Sequence, residues 1–317
     1  MRLVGLTALL SCAAACGKET VSATPTDRSP NAHYVETGAA ATYRPHCEGP
    51  ALIAHRGETG DGKNLPENTW QAELDAAAEG ATYLDLDVRW TSDGVPVALH
   101  DATVNRTTSE SRPRTPIANL TAQQYVALDA RSYVSDTKSG RIEPSVHPDT
   151  LAEILAKIAP TGKPIVLQME ADPYAASRAG ATPLREFANL AQVIQSSGYA
   201  SRVTVAGWTL SDLRAFHAIA PNVTLAYLVE TIGTKNYPAA QQILAAGAHI
   251  LYVDYRGVTA SKVASWNAVG LDVWAWTPAN RPAWQQLSTD GVEAIATNWE
   301  TYYLRWAPIP CTADSSE

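Results

Sequence analysis

The stretch LIAHRGETGDGKNLPENTW, residues 52–70, carries the reading that decides the fold. An apolar run stops at His55, Arg56 and Gly57, crosses a polar loop with several glycines, and restarts at Pro66-Glu67-Asn68-Thr69. A short apolar run closed by turn residues reads as a buried strand. The next segment, TWQAELDAAAEG (69–80), reads as a helix that carries the chain back, with Asn68 as its N-cap, Gln71 three residues on, and Gly80 as its terminator.

Strand, loop and returning helix make one β-α unit, and the pattern recurs to the end of the chain. The strand candidates are 51–55, 83–88, 164–170, 202–208, 223–229, 249–255, 272–277 and 294–297. Helical patterns fall between them, for example TLAEILAKIA, LREFANLAQVIQSS, LSDLRAFHAIA and ASKVASWNAVG. Eight such units predict an α/β fold, a closed (β/α)8 TIM-type barrel with its site at the C-terminal ends of the strands. Residues 89–149 break the rhythm as a small insertion after the second strand. Asp93-Gly94 there reads as a hairpin turn, and RTTSESRPRTP as a polar loop of the kind that builds active sites.

The flanks differ in character. MRLVGLTALLSCAAACGKE has one basic residue, a short apolar run and small residues before a cysteine, which predicts an export signal over residues 1–16 that is too short to span a bilayer. The small residues before Cys16 resemble a bacterial lipoprotein's lipobox, with Cys16 as the acylated residue and Cys12 as the alternative. Residues 17–46, rich in Ser, Thr, Pro and Ala, read as a flexible tether. The barrel then spans 47–311, with a tail at 312–317. Barrel closure brings Cys47 and Cys311 to the same end, and export permits a disulfide between them. The expected location is outside the cell, either lipid-anchored on its membrane or secreted.

The 317 residues are 45% hydrophobic and 18% charged, ample for a core, and the formal net charge is -8. That field repels nucleic acid and anionic membrane surfaces. We therefore expect no nucleic-acid partner, membrane contact only through the lipid anchor, and no protein partner. An anionic substrate needs local help, such as a metal.

Of the seven histidines, His33 and His46 fall in the tether, His147 in a loop, His217 in a helix pattern, and His249 opens a strand. His55 and His100 each end an apolar run. In YLDLDVRW, strand alternation puts Asp85 and Asp87 on one face, with Leu84, Leu86 and Val88 on the other. Glu170 ends the third strand. Buried anions side by side need a cation. Pairing with Arg56 or Arg89 is the alternative. Three carboxylates form a hard, all-oxygen set suited to one divalent cation, Ca2+ or Mg2+. Free imidazoles beside it suit phosphoester hydrolysis.

These blocks together resemble the glycerophosphodiester phosphodiesterase family: AHRG (54–57), PENT (66–69), the acid-x-Asp-Val with TSDGVPVALHD (85–101), RTT (106–108), Pro148-x-x-Leu151, QME (168–170), Trp276-Thr277 and GVEAIAT (291–297). The resemblance covers about 51–300 and implies a barrel that cleaves a small phosphodiester into an alcohol and sn-glycerol 3-phosphate with one divalent ion. It implies His55 and His100 as catalytic histidines, Asp85, Asp87 and Glu170 as metal ligands, and Arg56 as a phosphate contact. Similarity to phosphoinositide-cleaving barrels implies attack by the glycerol 2-hydroxyl, with His55 as base and His100 as acid.

Several positions depart from the family pattern. Asp85 stands where glutamate is usual and is one methylene shorter. Glu170-Ala171-Asp172 replaces Glu-x-Lys, so an anion stands where a phosphate-binding cation is expected, and Asp172 reads as an extra ligand or a solvated loop acid. WTPAN and TNWE replace Trp-Thr-x-Asn and Thr-Asp-x-Pro. Trp208 and Trp276 end strands, and they pack the barrel mouth or offer substrate an aromatic wall. The competing readings are a phospholipase acting on intact lipid and a binding lipoprotein on a degenerate barrel.

Overall fold

A computed structural model describes residues 49–57, 59, 65–132, 141–143, 145–170, 183–230 and 237–307. The export signal, the tether, the tail, Cys12, Cys16, Cys47, Cys311 and Asp172 lie outside the described residues.

Eight parallel strands close on themselves. They are β1 (Ala51–Ala54), β2 (Tyr83–Trp90), β6 (Ile165–Met169), β7 (Val203–Gly207), β8 (Thr224–Val229), β9 (Ala248–Asp254), β10 (Asp272–Trp276) and β11 (Ala294–Thr297). The order β1-β11-β10-β9-β8-β7-β6-β2 is sealed by β1 pairing with β2, Ile53 opposite Tyr83. The eight predicted strands are these eight, and the barrel expectation holds. In the insertion, β3 (Pro96–Ala98) folds back antiparallel on β2 across the Asp93-Gly94 turn, and β4 (Ala130–Ser132) pairs with β5 (Arg141–Glu143).

Helices return the chain between strands: α1 (Trp70–Glu79), α2 (Ala122–Val126), α3 (Leu151–Ile158), α4 (Pro183–Ser196), α5 (Leu210–Ile219), α6 (Ala240–Leu244), α7 (Ala260–Asn267), α8 (Arg281–Asp290) and α9 (Glu300–Trp306). Strand alternation divides the core in two. Leu84, Leu86 and Val88 join the layer between strands and helices, with Leu155, Leu190, Phe216 and Leu287. Ile53, Tyr83, Val166, Ala226, Tyr252 and Trp274 fill the barrel interior. There Trp274 packs against Tyr83 and Tyr252 at ring-centroid distances of 5.1 and 5.9 Å. Full burial of an aliphatic side chain such as Ile53 or Val166 stabilises the fold by roughly 1.5–3 kcal/mol.

One local expectation is corrected. Asn68 does not cap α1. Thr69, extended at φ -116°, is the N-cap, and its side chain accepts from the Ala72 N–H at 3.4 Å. Asn68 sits in the left-handed region at φ 59°, and its amide is committed to Asp87. The predicted stop at Gly80 holds, with φ 113°. Gly57 is required twice over. Its φ is 79°, and a Cβ there would lie 2.7 Å from the Ala72 carbonyl carbon. The loop after β1 can press onto α1 only as glycine.

Candidate active site

The site is built where β1, β2 and β6 end. His55 and Arg56 directly follow β1, and the His55 N–H donates to the Thr297 carbonyl at 3.2 Å, tying the start of the loop to β11. Arg56 takes φ 66°, unusual for a side-chain-bearing residue, and its carbonyl accepts from the Asn68 N–H at 3.0 Å. The two ends of the opening motif, HRG and PENT, thus clasp each other.

Asp85 and Asp87 both face the barrel interior, as the alternation predicts. Asp87 is held from two sides. Asn68 Nδ2 donates to its Oδ2 at 2.8 Å while Asn68 Oδ1 accepts from the Asp87 N–H at 2.9 Å, and Arg56 Nε lies 3.0 Å from Oδ2. Burial opposes ionisation of Asp87, but Arg56, then His100 and His55, hold its carboxyl below the usual range. Asp85 accepts from Gln168 Nε2 at 2.8 Å on both oxygens. Burial, then the neighbouring Asp87 charge, pushes Asp85 well above the usual carboxylate range.

Glu170 follows β6. Its Oε2 is 3.7 Å from Arg89 Nη2, and its Oε1 accepts from Trp208 Nε1 at 3.3 Å. Burial, then Asp87, pushes its carboxyl up to about 7. The alternative of arginine pairing is therefore present for Asp87 and Glu170, yet it does not satisfy them. Among the described residues nothing hydrogen-bonds the buried Asp87 Oδ1, and Glu170 still resists ionisation.

Asp87, His100 and Glu170 each offer a ligand atom, all within 4.8 Å of one another. Asp85 is not in this group. Carboxylate oxygens with one imidazole suit a hard divalent ion, and the unpartnered Asp87 Oδ1 is a buried acceptor that such an ion would satisfy. The residues present fit the cation that the sequence implies.

The two histidines are tuned apart. Burial, then Arg56, lowers His55 to about 4, against Asp87 and a bond from its Nδ1 to Asn298 Oδ1 at 2.6 Å. Burial also opposes the charge on His100, but its Nδ1 lies 2.9 Å from Asp101 Oδ1, and that bond followed by Asp87 raises it above its ordinary value. Asp101 is gripped by Arg106, whose Nε donates to Asp101 Oδ2 at 2.7 Å. Arg106 also donates to both Glu67 oxygens at 2.6 and 2.7 Å, and Glu67 in turn accepts from Arg56 at 3.2 Å. One chain of charge thus runs from His100 through Asp101, Arg106, Glu67 and Arg56 to Asp87. Two imidazoles with opposite shifts thus stand at a single carboxylate cluster, an arrangement able to serve acid-base chemistry.

Trp276 ends β10 and meets Trp208 edge to face at 5.9 Å, so both line the mouth beside Glu170. Sequence reasoning assigned no site role to Glu67, Asn68, Asp101, Arg106, Gln168 or Asn298. All lie in or beside the quoted motifs, but their partners stand 39 residues away for Glu67 and Arg106, 83 for Gln168 and Asp85, and 243 for Asn298 and His55.

Comparison with known proteins agrees with this geometry. A protein of Caldanaerobacter subterraneus subsp. tengcongensis named glycerophosphodiester phosphodiesterase is 26% identical over 247 residues, covering 78% of this chain and 93% of its own. A solved structure of a proposed glycerophosphoryl diester phosphodiesterase from Silicibacter pomeroyi superposes with a TM-score of 0.74 at 23% identity, covering 83% of this chain and 94% of that one. A phosphodiesterase of Oleispira antarctica, solved with its product sn-glycerol-3-phosphate, superposes with a TM-score of 0.68 at 20% identity, covering 81% of this chain and 96% of that one. The family model described as the glycerophosphoryl diester phosphodiesterase family matches residues 55–299, from His55 of the first barrel loop to Trp299 beyond the last strand. The chain belongs to the glycerophosphoryl diester phosphodiesterase family.

Proposed function

We propose that this protein hydrolyses small glycerophosphodiesters to an alcohol and sn-glycerol 3-phosphate, in a reaction that needs one divalent cation and the two histidines His55 and His100. The observation that carries this reading is the opposed tuning of those imidazoles around a carboxylate cluster with an unpartnered buried oxygen. The family match and the relatives' names support the substrate class.

Asp87 and Glu170 would hold the Ca2+ or Mg2+, with Asp85 as the third expected ligand. When bound, the ion would draw charge from a phosphoryl oxygen and acidify the attacking hydroxyl. The remaining work falls to side chains of this chain. His55, neutral above about pH 4, takes the proton of the attacking hydroxyl. His100, whose hold on a proton is strengthened through Asp101, gives one to the leaving alkoxide. Water then opens the cyclic phosphate to glycerol 3-phosphate, losing a proton to His100 while His55 returns one to the 2-hydroxyl oxygen. Arg56, paired with Asp87 and Glu67, is the proposed phosphate contact, and Trp276 with Trp208 forms the wall against which the glycerol lies. Export and anchoring through Cys16 belong to the same proposal and rest on residues 1–16 alone. Among the described residues no helix is long and apolar enough to cross a membrane.

The test is a substrate panel on the purified full chain: glycerophosphocholine, glycerophosphoethanolamine and intact phosphatidylcholine, each after chelation and after return of Ca2+ or Mg2+. Glycerol 3-phosphate should appear from the first two, vanish on chelation and return with the ion. Turnover of intact lipid alone would favour a phospholipase. Tight binding of the diesters without turnover would favour a binding lipoprotein.

A further inference from the structure

The proposed base of this reaction is itself held by a side chain from the opposite side of the barrel seam. His55 Nδ1 and Asn298 Oδ1 are 2.6 Å apart. An amide oxygen only accepts, so the hydrogen between them sits on Nδ1, and the lone pair of the neutral ring is on Nε2. The contact is built into the strand register. β1 and β11 pair in parallel with Ala54 opposite Thr297, so His55 and Asn298 are the first residues beyond each strand. The His55 N–H to Thr297 carbonyl bond continues that ladder to the point where the two side chains meet.

The charged groups acting on His55 are Arg56, Asp87 and His100. Arg56 and His100 oppose a charge on the ring, and Asp87 favours one. An aspartate at this place would put a second anion directly on Nδ1. Asn298 supplies the same acceptor geometry with no charge.

We propose that Asn298 is a positioning residue that fixes the tautomer of His55, with Nδ1 protonated and Nε2 free to receive the substrate proton, and that the amide does so without drawing the ring into its protonated form. The proposal rests on the reading of His55 as the base. Asn298 is exposed, so its substitution leaves the packed core untouched.

The experiment compares the full-length protein with Asn298→Ala and Asn298→Asp, their melting temperatures matched. Long-range 1H–15N spectra of 15N-histidine protein, with His55→Gln to identify the resonance, report the tautomer directly. Wild type and Asn298→Asp should show Nδ1 protonated, while Asn298→Ala should shift toward the Nε2-protonated form. In kinetics on glycerophosphocholine, Asn298→Ala should lower kcat about 10- to 100-fold with KM changed less than about threefold. Asn298→Asp should retain most of the maximal rate but move the acidic limb of the kcat/KM profile up by about one pH unit or more. An unchanged His55 tautomer in Asn298→Ala overturns the proposal. A changed tautomer with unchanged kcat overturns instead the base role of His55 on which it rests, and the two failures are thereby told apart.

Discussion

At the residue scale, His100 carries two possible duties, and its surroundings separate them experimentally. Its Nδ1 is engaged by Asp101, while a ligand atom of its ring lies within 4.8 Å of those of Asp87 and Glu170. As a general acid it matters in proportion to how poor the leaving group is. As a third metal ligand it matters equally for every substrate and is compensated by excess ion. His100→Gln should therefore lose about 10²- to 10⁴-fold in kcat on glycerophosphocholine, yet recover most of that loss on a p-nitrophenyl diester, whose leaving group needs no proton. Equal loss on both substrates, relieved by raising the metal concentration, would make His100 a ligand. Individual residues were the least legible part of this chain. His55, Asp87, His100 and Glu170 stood out because a polar or charged group at the end of an apolar strand is costly without a task. Asn68 did not, because Asn and Thr are both good caps and only Asp87, 19 residues away, decides between them.

At the scale of elements, the strands were readable because each is a continuous apolar run closed by turn residues, and alternation along β2 sorted its two faces correctly. Short helices were less so. Five-residue α6 and seven-residue α9 offer too few turns for a helical period to show. The floor of the barrel adds a pH-dependent joint that pattern alone hid. Glu293, just before β11, accepts from the Val273 N–H of β10 at 2.6 Å and from Asn267 Nδ2 of α7 at 2.8 Å. Burial, then Asp272, pushes its carboxyl up to about 8. The native state keeps this proton while the unfolded chain releases it above about pH 4.5. The stability it contributes is full below that pH and is lost as pH rises through about 8. Melting temperature should fall across that window. In Glu293→Gln, whose amide can still accept from Val273 and donate to the otherwise unpartnered Asn267 Oδ1, the fall should be shallower. It should not vanish, since Asp272 is pushed up to about 7. Parallel melting profiles for the two proteins would contradict this assignment.

At the scale of the whole molecule, the barrel's closure and its proposed chemistry share one seam. β1 joins β11 on one side and β2 on the other, and that seam brings His55 beside Asn298 and close to Asp87. The insertion after β2 supplies the rest, since Asp101 and Arg106 reach back to His100 and to Glu67 of the first loop. Eight β-α units and the motif blocks were enough to foresee the barrel and the strand ends at which the motif residues gather. The charge chain through Glu67 and Arg106 was not foreseeable, because it exists only once β1, β2 and the insertion are folded together. The central claim is that this seam cleaves a glycerophosphodiester with His55 and His100 as its proton carriers. The most direct measurement is 31P NMR of glycerophosphocholine incubated with metal-loaded wild type and with the His55→Ala/His100→Ala double variant. The account predicts a glycerol 3-phosphate resonance growing in with wild type while the diester resonance persists with the double variant. Wild-type turnover by the double variant would contradict it.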